Sequence, residues 1–366
     1  MTAKIVLENL KHKPMRSLLS FLLIGVPVTL ILTLVGLSHG MLDDAERRAR
    51  GSGADIMVRG RNSNSILSGS SATMSESFLG FLAKQPHVKA VMGVVTHAVE
   101  LPLTVNGVDL QQFEQMSGGL HFLSGGPFQG PNDVILDQYY AKQKKKQAGD
   151  TIQILNRPWR VSGIVEGGQL AHILVPIKTL QELDEAKGKL TLVYLKLDDQ
   201  ANTQAVKESL EQQLQGYTIW SMEDVASQFR ESVNNQGLNE FIAVIIGIGV
   251  VIGFAVVCLS MYMAVLQRTR EIGILKSLGG SRSFILRIIW AEALLLGLGG
   301  TVFGILLSFG ARYAIQALKP ASFQVEIVYS WWLIAAAITL VGATLGSLYP
   351  GLSAASHDPI EALAYE

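Results

Sequence analysis

Charge is what this chain has least of. Only 16% of its 366 residues are Asp, Glu, Lys or Arg, against roughly 25% in an ordinary soluble domain, while 49% are hydrophobic. That shortfall points to a membrane. The 30 acidic and 30 basic side chains cancel, so no global basic field argues for nucleic acid as a partner. The single cysteine, Cys258, excludes an intrachain disulfide and, inside an apolar run, reads as a small buried hydrophobe. Cys/His spacing of the zinc type is missing. His87, His97, His121 and His172 are scattered without ligand spacing and read as surface or core residues. No catalytic triad, metal cluster or paired-acid motif stands out, which leaves an enzyme the weakest of the functional classes.

A missing phosphate cradle decides a further question. The string LSGG at 123–126 resembles the signature loop of an ABC ATPase, and VILD at 134–137 resembles a Walker B strand ending in a metal-binding acid. Nucleotide hydrolysis also needs GxxxxGK followed by Ser or Thr, whose backbone amides and lysine hold the phosphates. Here the Gly188-Lys189 pair is followed by Leu190 and lacks the upstream glycine. The two strings therefore read as a glycine-rich loop entering a strand.

What the chain does have is long uncharged apolar segments, four of them long enough to cross a bilayer as helices. They place transmembrane helices at 17–40, 239–266, 284–311 and 329–350, with Pro27 as a kink in the first. The first exceeds the roughly 7–15 residues of a signal-peptide core, and no small-residue cleavage site follows it, so it reads as a retained anchor. Lys4, Lys11, Lys13 and Arg16 precede it, and Arg268, Arg270, Lys276 and Arg282 lie between the second and third spans. Basic residues favour the cytoplasmic side, which puts segments 1–16, 267–283 and 351–366 in the cytoplasm and 312–328 outside. Arg47, Arg48 and Arg50 weaken that bias but are mixed with Asp43, Asp44 and Glu46.

The remaining segment, 41–238, then lies outside the cytoplasm and is long enough for a core of its own. Strand-like pieces (ADIMV, VMGVV, DTIQIL, WRVSGIV, HILVPI, LTLVYLKL) alternate with helix-like ones (SESFLGFLAKQ, QYYAKQKKKQ, TLQELDEAK, NTQAVKESLEQQLQ). The fold class read from the chain is an α-helical membrane protein with four transmembrane helices and a large α+β extracytoplasmic domain inserted between helices 1 and 2. Residues 62–75 are Ser/Gly-rich and read as a loop. A helical pattern from Glu223 to Phe241 continues into the second span, as a stiff stalk would.

Between the second and third spans, Ile274, Leu275 and Leu278 recur at helical spacing beside Arg270, Glu271 and Lys276. They make a short amphipathic helix that Gly279 and Gly280 stop. Met261 to Gly300, together with ENLKHKPMRSLLSFLLIGV at the start and YPGLSAASHDPIEALAYE at the end, resembles the FtsX-like permease family of the MacB and LolC/LolE type. SGGPFQGPNDVILDQYYA, AGDTIQIL and WRVSGIVEGG resemble the MacB-like periplasmic core domain, while residues 60–110 resemble nothing recognisable.

The resemblance implies the permease subunit of an ABC transporter in a bacterial inner membrane. ATP hydrolysis by a separate cytoplasmic ATPase would move the external domain to export or extract an envelope substrate. The alternative it leaves open is a non-transporting module that senses a signal or regulates an envelope enzyme, as FtsX does. It implies no cofactor in this chain, with ATP and Mg in the partner. The implied partners are cytoplasmic ABC ATPase subunits, a second permease copy or paralogue, a periplasmic adaptor with an outer-membrane tunnel protein, and the lipid bilayer. Arg270, Glu271, Ile272, Gly273, Lys276, Leu278 and Gly279 fall on the family's coupling helix, which docks on the ATPase.

Further features are read from the residues themselves. Glu292 is an ionisable group in a span, hence a functional candidate, for which structural pairing with nearby Arg287 is the favoured role. Gly249/Gly253, Gly300/Gly304 and Gly342/Gly346 have the spacing that lets helices approach closely. Trp331-Trp332 reads as an interface belt, and Lys142 to Lys146 as a solvated helix face. In the tail, Asp358, Pro359 and Glu361 form a capping pattern for a short helix.

Overall fold

The computed structural model describes residues 14–60, 74–100, 103–235, 238–267, 272, 274, 277, 281–321 and 323–356. It begins with α1 (Pro14–Arg50), one helix with Pro27 inside it. The elements that follow are β1 (Ile56–Arg59), β2 (Met74–Ser75), α2 (Phe78–Leu82), β3 (Val88–Glu100), β4 (Leu103–Val108), α3 (Leu110–Ser117), β5 (Phe122–Gly125) and β6 (Asp133–Asp137). Next come α4 (Gln138–Lys144), β7 (Thr151–Ile154), β8 (Arg157–Val165), β9 (Ile173–Pro176), α5 (Ile177–Leu183), β10 (Lys189–Leu190) and β11 (Leu192–Leu197). The chain continues through α6 (Thr203–Gln213), β12 (Thr218–Ser221), α7 (Met222–Asn235), α8 (Leu238–Gln267), α9 (Arg282–Leu318) and α10 (Tyr329–Ser356). Four stretches, Leu18–Arg50, Ala243–Met263, Arg282–Leu318 and Tyr329–Ser353, are long and apolar enough to cross a membrane.

The contacts divide the chain into a helical unit and an α+β unit. The first holds Met1–His39, Leu238–Ala314 and Val325–Glu366, and the second holds Gly40–Gly237 and Ile315–Gln324. In the α+β unit a ten-stranded sheet runs β12-β1-β11-β3-β4-β9-β6-β8-β5, with β7 paired to β8. The β4–β9 and β6–β8 pairs are parallel; the others are antiparallel. Successive residues of one strand enter opposite cores. Val134 and Leu136 of β6 join Trp159, Val161, Leu180 and Leu210 on one face, while Ile135 joins Phe113 and Met116 of α3 on the other. With both faces dry, a strand such as VILD carries no polar alternation.

Local chemistry fixes the helix ends. Asp109 caps α3 by accepting from the Gln111 and Gln112 amides. Gly118 ends that helix at φ 87°, a conformation that favours glycine. The Lys-rich helix expected to 147 stops at Lys144, because Lys145 adopts the left-handed cap at φ 53°. Strand β4 lies wholly within the stretch 60–110 that resembled nothing by sequence, and helix α3 begins at its last residue. Of the Ser/Gly-rich segment 62–75, residues 62–73 lie outside the described residues, and Met74–Ser75 pairs with β10. The helical pattern from Glu223 to Phe241 falls on α7 and the start of α8, with residues 236–237 between them outside the described ones.

In the helical unit, Ile24 of α1 meets Val257 and Met261 of α8, Ile289 and Leu296 of α9, and Ala343 of α10 in one buried cluster. Helix α9 continues beyond the apolar run that ends near 311, its last turns running to Leu318.

Candidate functional site

Of the expected coupling residues, only Ile272 is described. It lies in helical conformation and packs on the cluster of Val265, Ile285 and Ile289. Ile274 and Ser277 are also helical and exposed, with the Ser277 hydroxyl donating to the Ile274 carbonyl at 2.8 Å. Arg270, Glu271, Gly273, Lys276, Leu278 and Gly279 lie outside the described residues, as do segment 1–13 and the tail from 357 onward. Of the apolar residues at helical spacing, Ile274, Leu275 and Leu278, only Ile274 is described, and it is exposed while Ile272 packs inward.

Helices α1 and α9 approach closely at a pair of glycines. A Cβ placed on Gly304 would come within 2.7 Å of the Gly25 carbonyl oxygen and of Val28 Cβ. The Thr29 hydroxyl lies 2.9 Å from the Gly25 carbonyl and 3.0 Å from the Gly304 carbonyl, which ties the two backbones where they approach. Gly346 likewise sits against the Phe254 carbonyl, whereas Gly253 and Gly342 have open space beside them. Only part of the glycine spacing is therefore used within the chain. Glu292 is half-buried on α9 and engaged with its surroundings, while Arg287 is exposed.

Trp331 and Trp332 open α10, and Trp332 stands edge-on to Phe309 at 6.0 Å and to Tyr329 at 5.1 Å. They line a cleft with Leu32, Thr33, Phe309, Arg312 and Glu326, in which Arg312 Nε and Thr33 Oγ1 are buried without a protein partner.

In the α+β unit the four histidines each meet a carboxylate. Surface positions hold His87 with Asp198 at 3.1 Å, His97 with Asp184 at 2.7 Å and, more loosely, His121 with Glu166 at 3.6 Å. His172 is different. It is 4% exposed, with Nδ1 2.6 Å from Asp137 Oδ2 and Nε2 3.6 Å from Asp44 Oδ2. Arg48 Nη1 touches both Asp44 and His172 Nε2. Burial pulls the imidazole toward neutrality, but its hydrogen bonding to the acceptors Asp137 and Asp44 outweighs it and holds the His172 pKa above its ordinary value. Arg48 supplies the cation here, and among the described residues no group of three His, Cys, Asp or Glu side chains is arranged to hold a metal.

Sequence spacing could not find this cluster, because the Asp44–Arg48 pair, Asp137 and His172 lie 35 or more residues from one another and meet only in the folded chain. One signal was present: Asp137, the acid that ends VILD, caps α4 through the Tyr140 amide at 2.7 Å and meets His172 Nδ1 at 2.6 Å. The glycine of LSGG at position 125 takes φ 71° at the end of β5.

Two family descriptions match this chain: the MacB-like periplasmic core domain over residues 17–213 and the FtsX-like permease C-terminal region over 243–359. The chain belongs to the FtsX-like, MacB-type permease family. Its relatives include the macrolide export ATP-binding/permease protein MacB of Acinetobacter baylyi, 26% identical over 99% of this chain and 59% of that protein. The MacB of Salmonella paratyphi A is 25% identical over 96% of this chain and 58% of its own length. The permease thus spans under two thirds of the length of these relatives. Among solved structures, the periplasmic region of MacB from Actinobacillus actinomycetemcomitans gives a TM-score of 0.37 at 19% identity, over 50% of this chain and 95% of that one. The extracellular domain of YknZ from Gram-positive bacteria gives 0.35 at 15%, over 46% and 99%. Membership rests on the two family matches, which together cover the four apolar helices and most of the α+β domain.

Proposed function

We propose that this permease transmits the work of an ATP-binding unit outside these 366 residues to its α+β domain, in a bacterial inner membrane with both termini cytoplasmic. That domain would then drive export or extraction of an envelope substrate. The observation that carries the reading is the pairing of a MacB-like core domain with an FtsX-like C-terminal region on one chain with four apolar helices. ATP and Mg belong to the ATP-binding unit. The curated relatives are named as macrolide exporters that include ATP binding, which favours export.

Arg270, Glu271, Ile272, Gly273, Lys276, Leu278 and Gly279 are proposed to dock on the ATP-binding unit. Inward packing of Ile272 beside exposed Ile274 supports a short element seated on the helical unit with an apolar residue left over for a partner. The spans would sit in the bilayer, and a second permease copy or paralogue would complete the pair. A periplasmic adaptor and outer-membrane tunnel protein would complete an exporter.

The test is isolation of the tagged permease from its native membrane in mild detergent, with every stoichiometric companion identified by mass. An ATPase with an adaptor or tunnel protein supports export, and an ATPase with a lipoprotein supports extraction. An intact complex with no ATP-binding unit, fused or separate, overturns the reading.

A further inference from the structure

Helix α9 marks where a bilayer would end. From Ala293 to Ala311 it carries no charged residue, a helical length of about 29 Å that matches a hydrocarbon core of roughly 30 Å. Tyr313 follows Arg312 and is exposed, as interfacial aromatics are. The last turns, to Leu318, rise about 10 Å more, enough to clear a headgroup layer roughly 5–8 Å deep. Lys319 comes directly after the helix and is exposed.

The end of α4 is fastened at that level. Residues Ile315–Gln324 belong to the α+β unit, and Ala321 is buried in the core cluster that also holds Tyr140 and Ala141 of α4. The Ala321 amide donates to Gln143 Oε1 at 3.0 Å, and Gln324 Oε1 accepts from Arg47 at 3.0 Å. Around Gln143 stand Lys142, Lys144 and Lys145, all exposed, and the half-exposed Lys146. Asp150 is the one acid from 138 to 150, and its Oδ2 accepts from the Gln147 amide at 2.8 Å; Asp137, before them, is buried against His172. The connection after α9 adds Lys319 and no acid, since none occurs between Glu292 and Glu326. Among the described residues no carboxylate pairs with any of these five lysines. A local excess of one sign repels itself until something anionic covers it.

We propose that Lys142, Lys144, Lys145 and Lys146, with Lys319, form a lipid-facing surface that gathers anionic phospholipid headgroups at the C-terminal end of α9 and seats this side of the α+β domain on the bilayer. The field of an anionic surface attracts basic residues within about a Debye length, about 8 Å at physiological salt, and lysine stems reach back toward it. The Gln143–Ala321 hydrogen bond is what keeps the lysines of α4 near the surface rather than out in solvent. The proposal rests on α9 being a membrane span, and it is independent of what the permease moves.

The experiment is electron spin resonance of the full chain in phosphatidylcholine bilayers, with acyl-chain spin-labelled phosphatidylglycerol or phosphatidylcholine as the probe, which reads the fraction of each lipid held at the protein surface. Phosphatidylglycerol is expected to be held about threefold in preference, falling toward parity at about 1 M salt, where the screening length is about 3 Å. The triple variant Lys142→Gln, Lys144→Gln, Lys145→Gln should lose most of the preference. A control triple, Lys84→Gln, Lys89→Gln, Lys187→Gln, removes the same charge from exposed positions elsewhere on the α+β unit and should keep it. No held lipid of either kind overturns the span reading, and the proposal with it. Equal holding of the two lipids overturns the proposal alone, as does a preference that survives the first triple or falls equally in both. A second measurement needs no variant: in bilayers containing phosphatidylglycerol, Lys142, Lys144, Lys145 and Lys319 should be acetylated several-fold more slowly than in pure phosphatidylcholine, while Lys84 and Lys187 react alike. Equal rates at the first four overturn the proposal even if the first triple fails to fold.

Discussion

Single residues in the α+β unit carry distinct and separable loads. Trp159 is fully buried and its indole donates to the Ile154 carbonyl at 3.0 Å, so it fills the core and closes the β7–β8 turn together. Trp159→Ala is expected to cost about 3–5 kcal/mol, measured as the loss of denaturant resistance of the α+β unit in the whole protein. Asp133 accepts from the Gln129 and Gly130 amides at 2.6 and 2.9 Å and pairs with Arg160. The Arg160 hydrogen bonds hold its carboxyl below the usual range, with the two amides assisting. A depressed carboxylate contributes stability above its unfolded value near 4 that disappears as pH falls through the folded one. Asp133→Asn should accordingly flatten the acid limb of a thermal-melting profile, and an unchanged limb would count against this assignment.

At the scale of elements, the α1–α9 seam shows why small residues sit where they do. Gly25 and Gly304 meet backbone to backbone, and Thr29 reaches both carbonyls, a close approach that substitutes packing for the hydrophobic drive missing between helices in lipid. Gly304→Leu should push the helices apart and destabilise the unit by about 1–3 kcal/mol, whereas Gly253→Leu, beside open space, should be mild within one chain. Thermal unfolding of the two variants in the same detergent checks the contrast; equal losses would contradict the seam. Helix α3 offers a smaller test, because Asp109→Ala removes its cap and should cost about 1 kcal/mol.

At the scale of the whole molecule, the permease is a helical unit and an α+β unit linked by more than one strand of chain. Glu271→Arg is expected to abolish ATP-dependent activity while leaving membrane insertion intact, checked by fractionation beside ATPase assays of the reconstituted complex. Unchanged activity in that variant would argue against Glu271 as a docking residue. A change in insertion as well would place its role in folding instead.

The sequence by itself determined the four long apolar helices, the inserted α+β domain and the family, because these depend on local properties: apolar length, strand and helix composition, and contiguous motifs. VILD was legible as a strand for the same reason. Short elements such as β4, α3 and β12 were not, since a few residues carry too little periodicity and their caps and neighbours decide them. Only the tertiary structure decided that Asp137 meets His172, that Asp44 and Arg48 join them, and that Gly304, but not Gly253, faces a neighbouring backbone. Those are meetings between residues far apart in the chain, and they are set by sheet order and helix packing, which no local pattern encodes.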